Sequence, residues 1–98
     1  MDHDSTYPAP LFHPGRIVAT PGAMAALDDS PFQAALLLAR HVSGDWGDVC
    51  DEDSRANADA LALGNRLVSA YATESHMRLW IITESDRSAT TLLTPDEY

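Results

Sequence analysis

Arg66-Leu67-Val68-Ser69-Ala70-Tyr71-Ala72-Thr73, Met77-Arg78-Leu79-Trp80-Ile81-Ile82-Thr83-Glu84 and Ser88-Ala89-Thr90-Thr91-Leu92-Leu93-Thr94 are three consecutive runs rich in β-branched and aromatic residues. Their side chains alternate with a period of two, as strands require. Short polar segments, Thr73–His76 and Glu84–Arg87, separate them and suit hairpin turns, so neighbours pair antiparallel. Trp80 and Ile82 share one face of the middle run, and Leu79 and Ile81 share the other. A strand apolar on both faces belongs at the centre of a sheet. The last third of the chain is therefore read as a three-stranded antiparallel meander at about residues 66–73, 77–84 and 88–94.

Upstream the period changes. Thr20-Pro21 and Ser30-Pro31 each place a hydroxyl N-cap before a proline at the first helical position, where the missing N–H costs nothing. These pairs predict helices over about 21–28 and 31–43. In the second, Phe32, Ala35, Leu36, Ala39 and Val42 recur at helical spacing and predict its inner face. Arg40 and His41 in the last turn suit the helix dipole, and Gly44 closes it. A third helix is predicted over 51–63, with Asp51, Glu52 and Asp53 at its positive end. Ala56, Ala60 and Leu63, with Leu61 beside them, supply a modest inner face, and Gly64-Asn65 a cap. Arg16-Ile17-Val18-Ala19, after the turn signal His13-Pro14-Gly15, reads as a short extra strand. The fold class is α+β: two or three helices followed by and packed on the meander. Residues 1–10 read as a flexible tail and 11–98 as one domain.

Bulk properties narrow the function. The chain has 98 residues and 45% hydrophobic composition, enough for one core. A homodimer would help so small a domain bury surface. The net charge is −9, with 15 acids, six arginines and no lysine. Such a chain is repelled by phosphate backbones, so direct nucleic-acid binding is not expected. The longest apolar run, Ala34 to Ala39, is too short to span a bilayer, and no signal-peptide pattern opens the sequence, so a cytoplasmic setting is expected. One cysteine, Cys50, excludes an internal disulfide and is expected to be buried or half-buried.

Two local stretches are candidate sites. Asp45, Asp48, Asp51, Glu52 and Asp53 lack the alternate-ligand spacing of an EF-hand, and they suit a loop and helix start better than a metal site. No metal or other cofactor is expected. Trp46, between Gly44-Asp45 and Gly47-Asp48, either plugs the core, the commoner outcome, or anchors a partner. In the second stretch, Asp86 and Arg87 form a local ion pair in a hairpin turn, or Arg87 offers its guanidinium to a phosphate or carboxylate. The candidate binding set is thus Asp45, Trp46, Asp48, Asp51, Glu52, Asp53, Asp86 and Arg87. Among the histidines, His3, His13, His41 and His76, none has metal-site spacing, and a surface or capping role is the commoner one for His41. Near Asp45, His41 could instead be oriented as a base.

Leu11-Phe12, Pro14 through Ala23, His41-Val42 with Gly44 through Asp48, Asn57, Ser69-Ala70-Tyr71, Trp80 through Glu84, Asp86 through Thr91, and Pro95 with Glu97-Tyr98 together carry a resemblance. Over about residues 11–98 the chain resembles a group of small bacterial proteins often described as plasmid-related or hypothetical. The resemblance implies a shared fold and a mobile-element setting, and brings no activity. At the level of topology alone, the order of helices then sheet is similar to RelE-type toxins and barnase-like ribonucleases. That likeness would cast His41, Glu84 and Arg87 as acid, base and phosphate clamp. Those enzymes need a basic RNA-binding surface, which a charge of −9 does not offer. The leading expectation is therefore a non-enzymatic accessory or regulatory protein acting on a protein partner, in one version an inhibitor that covers a nucleic-acid-binding surface. A small ribonuclease-like or phosphate-processing enzyme is the alternative.

Overall fold

A computed structural model describes residues 9–98. The expected flexible tail falls mostly outside the described residues, as does His3, and Ala9 and Pro10 are exposed without regular structure. In chain order the elements are β1 (Arg16–Ala19), α1 (Pro21–Ala26), α2 (Pro31–Val42), α3 (Asp51–Leu63), β2 (Leu67–Ala72), β3 (Arg78–Thr83) and β4 (Ala89–Leu93), followed by a 3₁₀ turn (Pro95–Glu97). The α+β reading holds. The sheet has four strands in the order β1-β4-β3-β2. The meander pairs antiparallel, and β1 joins it parallel to β4, with Arg16 opposite Ala89 and Ala19 opposite Leu92.

The helix starts follow from their caps. Thr20 Oγ1 accepts from Ala23 N at 3.1 Å, and Ser30 Oγ accepts from Gln33 N at 3.1 Å, each ahead of a proline. Gly64, in the left-handed conformation at φ 76°, closes α3 where a β-carbon would be strained.

The inner face of α2 differs from the expected one. Gln33, Leu37 and His41 point inward, whereas Phe32 is 71% exposed. The reason is polar. Gln33 Nε2 donates to Leu27 O at 3.1 Å and its Oε1 accepts from Glu74 N at 2.7 Å, so Gln33 staples the helix to the α1–α2 link and the β2–β3 turn. In α3, Asn57 and Ala60 are buried while Ala56 and Leu63 are exposed, which again corrects the expected face. Asn57 accounts for this: its Nδ2 donates to Val68 O at 2.8 Å and its Oδ1 accepts from Val68 N at 3.1 Å. The side-chain amide thus pairs with the edge of β2 as a strand residue would.

The main core gathers Ala23, Leu27, Leu37, Tyr71, Leu79, Ile81 and Leu92 between α1, α2 and the sheet. A second cluster joins Trp46, Ala60 and Leu67, with Phe12, Val49 and Leu61 packed against it. On the opposite sheet face Trp80 meets Tyr98, ring centroids 5.5 Å apart. Among the described residues no helix is long and apolar enough to cross a membrane.

Candidate functional site

The loop 44–50 is built around a short bridge to the sheet. Gly47 pairs with Ala70, Asp48 N donates to Ala70 O at 2.7 Å, and Ala70 N donates to Trp46 O at 3.0 Å. A β-carbon on Gly47 would lie 2.1 Å from Ala70 O, and its φ is 73°, so only glycine fits this approach. The bridge drives Trp46 inward. Its ring, 8% exposed, stacks on Phe12 with centroids 6.4 Å apart and edges against His41 at 5.7 Å. The core-plug reading of Trp46 is the one the structure shows.

His41 is fully buried, not a surface or capping residue. Its Nδ1 is 2.5 Å from Ser69 Oγ and its Nε2 is 2.9 Å from Thr83 Oγ1. Thr83 Oγ1 lies 2.6 Å from Thr90 Oγ1, which donates to Pro14 O at 2.7 Å. The carbonyl can only accept, so each proton in the chain has one direction. Thr90 donates to Pro14, Thr83 to Thr90, and His41 Nε2 to Thr83. The chain from Pro14 thus places a proton on Nε2. Burial, which pushes the pKa of the ring down to about 4, keeps it neutral and leaves Nδ1 to accept from Ser69. The network satisfies every member and ties α2 to β2, β3, β4 and the segment before β1. Burial likewise pushes the Tyr71 phenol up to about 12, and its hydroxyl donates to Asp45 O at 2.6 Å.

Asp45 does not orient His41. It holds Arg40 instead, accepting from Nε at 2.7 Å, and also accepts from Gly47 N at 3.2 Å. The Arg40 hydrogen bond draws the Asp45 carboxyl below its usual range. The Arg40 guanidinium in turn lies over the Tyr71 ring, 4.7 Å from its centroid. Asp48 is 3.9 Å from Arg78. Asp51, Glu52 and Asp53 stand exposed in the first turn of α3, and Cys50, at the N-cap position, is exposed rather than buried or half-buried. Among the described residues no three His, Cys, Asp or Glu side chains converge to hold a metal ion.

The 84–88 turn is equally occupied. Asp86 accepts from Ser88 N at 3.0 Å. Arg87, at φ 61°, turns its guanidinium onto carbonyls: Asn65 O at 2.6 Å, Ala60 O at 3.1 Å, Glu84 O at 3.1 Å and Ser85 O at 3.2 Å. No Asp86–Arg87 ion pair forms; among the described residues the ion pairs are Arg40–Asp45 and Arg78–Asp48. At the end of α3, Arg87 adds a donor to Ala60 O, which already accepts from Gly64 N at 2.8 Å, and to Asn65 O just beyond the helix. Phe12 stands between Arg87 and His41, 5.7 Å from the guanidinium carbon and 5.4 Å from the imidazole centroid. Glu84 is exposed while His41 is sealed, so His41, Glu84 and Arg87 form no accessible acid, base and clamp.

Sequence reasoning missed Gln33, Asn57, Ser69 and Thr83 as polar staples. On α2 the signal is Gln33 and His41 at helical spacing with Leu37; Ser69 and Thr83, on β2 and β3, have no such mark. Of the candidate binding residues, the acids that the fold leaves outward without a close partner side chain among the described residues are Asp51, Glu52 and Asp53, with Asp48 nearby. Compared with protein-family models, curated proteins and solved structures, the chain matches none.

Proposed function

We propose that the chain is a non-enzymatic acidic accessory or regulatory protein that binds a basic face of a protein partner. One observation carries this reading: Asp51, Glu52 and Asp53 project from the start of a helix that Asn57 and Arg87 fasten to the rest of the fold. Carboxylates held on a rigid element lose little freedom on meeting a cationic surface, and their charge speeds the encounter. They also favour the helix start by opposing its dipole, a local role that accompanies the outward one. The total charge of −9 suits an inhibitor covering a nucleic-acid-binding surface. The mobile-element setting belongs to this proposal through the resemblance described above, as does a cytoplasmic location.

The test compares two variants in capture of a basic partner from the native host. One reverses Asp48, Asp51, Glu52 and Asp53 to lysine. The other reverses Asp28, Asp29, Asp59 and Glu74, giving the same net charge. Loss in the first variant with retention in the second supports the reading. Equal binding by the first variant and the unaltered chain overturns it.

A further inference from the structure

The two edges of the sheet are treated differently. Along β2, the Gly47 bridge and the Asn57 amide occupy the outer backbone groups of Ala70 and Val68. At the other edge lies β1, exposed along its whole length. Arg16 N donates to Ser88 O and Thr20 N to Leu92 O, each at 3.0 Å. In a parallel ladder alternate residues bond the neighbouring strand. Residues 16, 18 and 20 therefore turn toward β4, and Ile17 and Ala19 turn their N–H and C=O groups outward. Among the described residues nothing pairs with them. Ile17 and Val18 are also 46% and 38% exposed. An open edge carrying apolar side chains is a template for another strand.

We propose that this edge is a self-association surface, on which β1 of a second copy pairs antiparallel about a two-fold axis through Val18. This goes beyond the partner reading and needs none of its residues. The register follows from which groups face out. Ile17 pairs with Ala19 of the second copy in a hydrogen-bonded pair, and Ala19 with Ile17, giving four backbone bonds. Val18 faces Val18 of the second copy in a non-hydrogen-bonded pair, with Cα atoms about 4.5 Å apart.

Charge complementarity selects a second copy as the occupant. In this register Arg16 lies opposite Thr20 of the other chain, on the same face of the sheet. Thr20 Oγ1 donates to Glu97 Oε1 at 2.5 Å, so the carboxylate of Glu97 sits beside that position. Each Arg16 thereby meets a Glu97 of the other copy, twice per dimer, although the chains as wholes carry like charge. β1 itself contains no acid, and Arg16 is its only charged residue. Two four-stranded sheets become one of eight strands.

The test is the full chain with Cys50→Ser, which removes the exposed thiol, carrying either Val18→Cys or Ile17→Cys. Under a glutathione redox buffer, Val18→Cys should form a disulfide-linked dimer on a non-reducing gel, because the facing Cα atoms fall within disulfide range. Ile17→Cys should not, because its counterpart is displaced along the strand. Sedimentation of the unaltered chain should show a species of twice 10.6 kDa as concentration rises. Arg16→Glu should raise the dimer dissociation constant about tenfold. A monomer throughout the concentration range, or cross-linking of both cysteine variants alike, overturns the proposal.

Discussion

His41 Nε2 donates to Thr83 Oγ1 at 2.9 Å, joining the last turn of α2 to the central region of the sheet inside the core. Burial disfavours the charged ring, and protonation would also reverse the bond between Nδ1 and Ser69 Oγ, making the hydroxyl accept where it now donates. In the unfolded chain this group titrates near 6.5, and in the fold near 4. Between these values the unfolded chain binds a proton that the fold refuses. Stability present above pH 6.5 is thus lost as pH falls, with the loss complete below about pH 4. The expected loss is about 3 kcal/mol. Urea titrations across this range measure it, and His41→Gln, whose amide can accept from Ser69 and donate to Thr83, should flatten the dependence.

Arg87 holds the left-handed conformation at φ 61° while its side chain bonds four carbonyls. Strain and clamp oppose each other. Arg87→Ala keeps the strain and loses the clamp; Arg87→Gly loses both. The alanine variant should be destabilised by about 2 kcal/mol. The glycine variant should recover about 1 kcal/mol of that, since glycine adopts φ > 0 freely. Urea midpoints of the two variants rank them, and equal midpoints would show that the turn stores no strain.

Glu97 accepts from Thr20 Oγ1, Gly22 N and Thr94 N, fastening the chain's last turn to the start of α1. The Thr20 hydrogen bond is the largest cause of its carboxyl lying at about 2. This support is fully present above the usual glutamate range, shrinks as pH falls below about 4.5 and is gone below about 2. The carboxylate in the fold nonetheless stays ionised until pH approaches 2. Glu97→Ala should speed hydrogen exchange at the Gly22 and Thr94 amides and leave Ile81 unchanged. Exchange followed by NMR checks this, and the protection at Gly22 in the unaltered chain should persist at pH 3.

What the residues disclose in sequence is the local part of this structure. Ser30-Pro31 and Asp51-Glu52-Asp53 start helices where expected, because capping and dipole effects act within one turn. The meander is legible because hairpin partners are neighbours in sequence. The parallel pairing of β1 with β4 is not, since its partners lie more than 70 residues apart. Nor is the inner face of α2. Leu36, Leu37 and Leu38 make three directions apolar, and the choice is made by remote groups, Glu74 N for Gln33 and Thr83 Oγ1 for His41. The partners of Arg87 and Asp45 are illegible for the same reason: each side chain is chemically versatile in isolation, and the fold supplies the carbonyl and guanidinium that it meets.

Gly47 holds the loop to the sheet at a point where no side chain fits, and Trp46 is buried as a consequence. Gly47→Ala would force a β-carbon against Ala70 O in a left-handed conformation. The strain alone costs about 1–2 kcal/mol, and loss of the bridge adds the two bonds between Trp46, Asp48 and Ala70. A destabilisation of at least about 2 kcal/mol is expected. Relief requires the loop to lift, which draws Trp46 off Phe12 and opens the cover over His41. In a Trp80→Phe background, where Trp46 is the sole indole, its emission should therefore shift to longer wavelength on Gly47→Ala. Freed from this cover, His41 should titrate closer to its ordinary value, which NMR of the ring protons reads directly. An unshifted emission together with an unmoved titration would show that the loop keeps its place without the bridge.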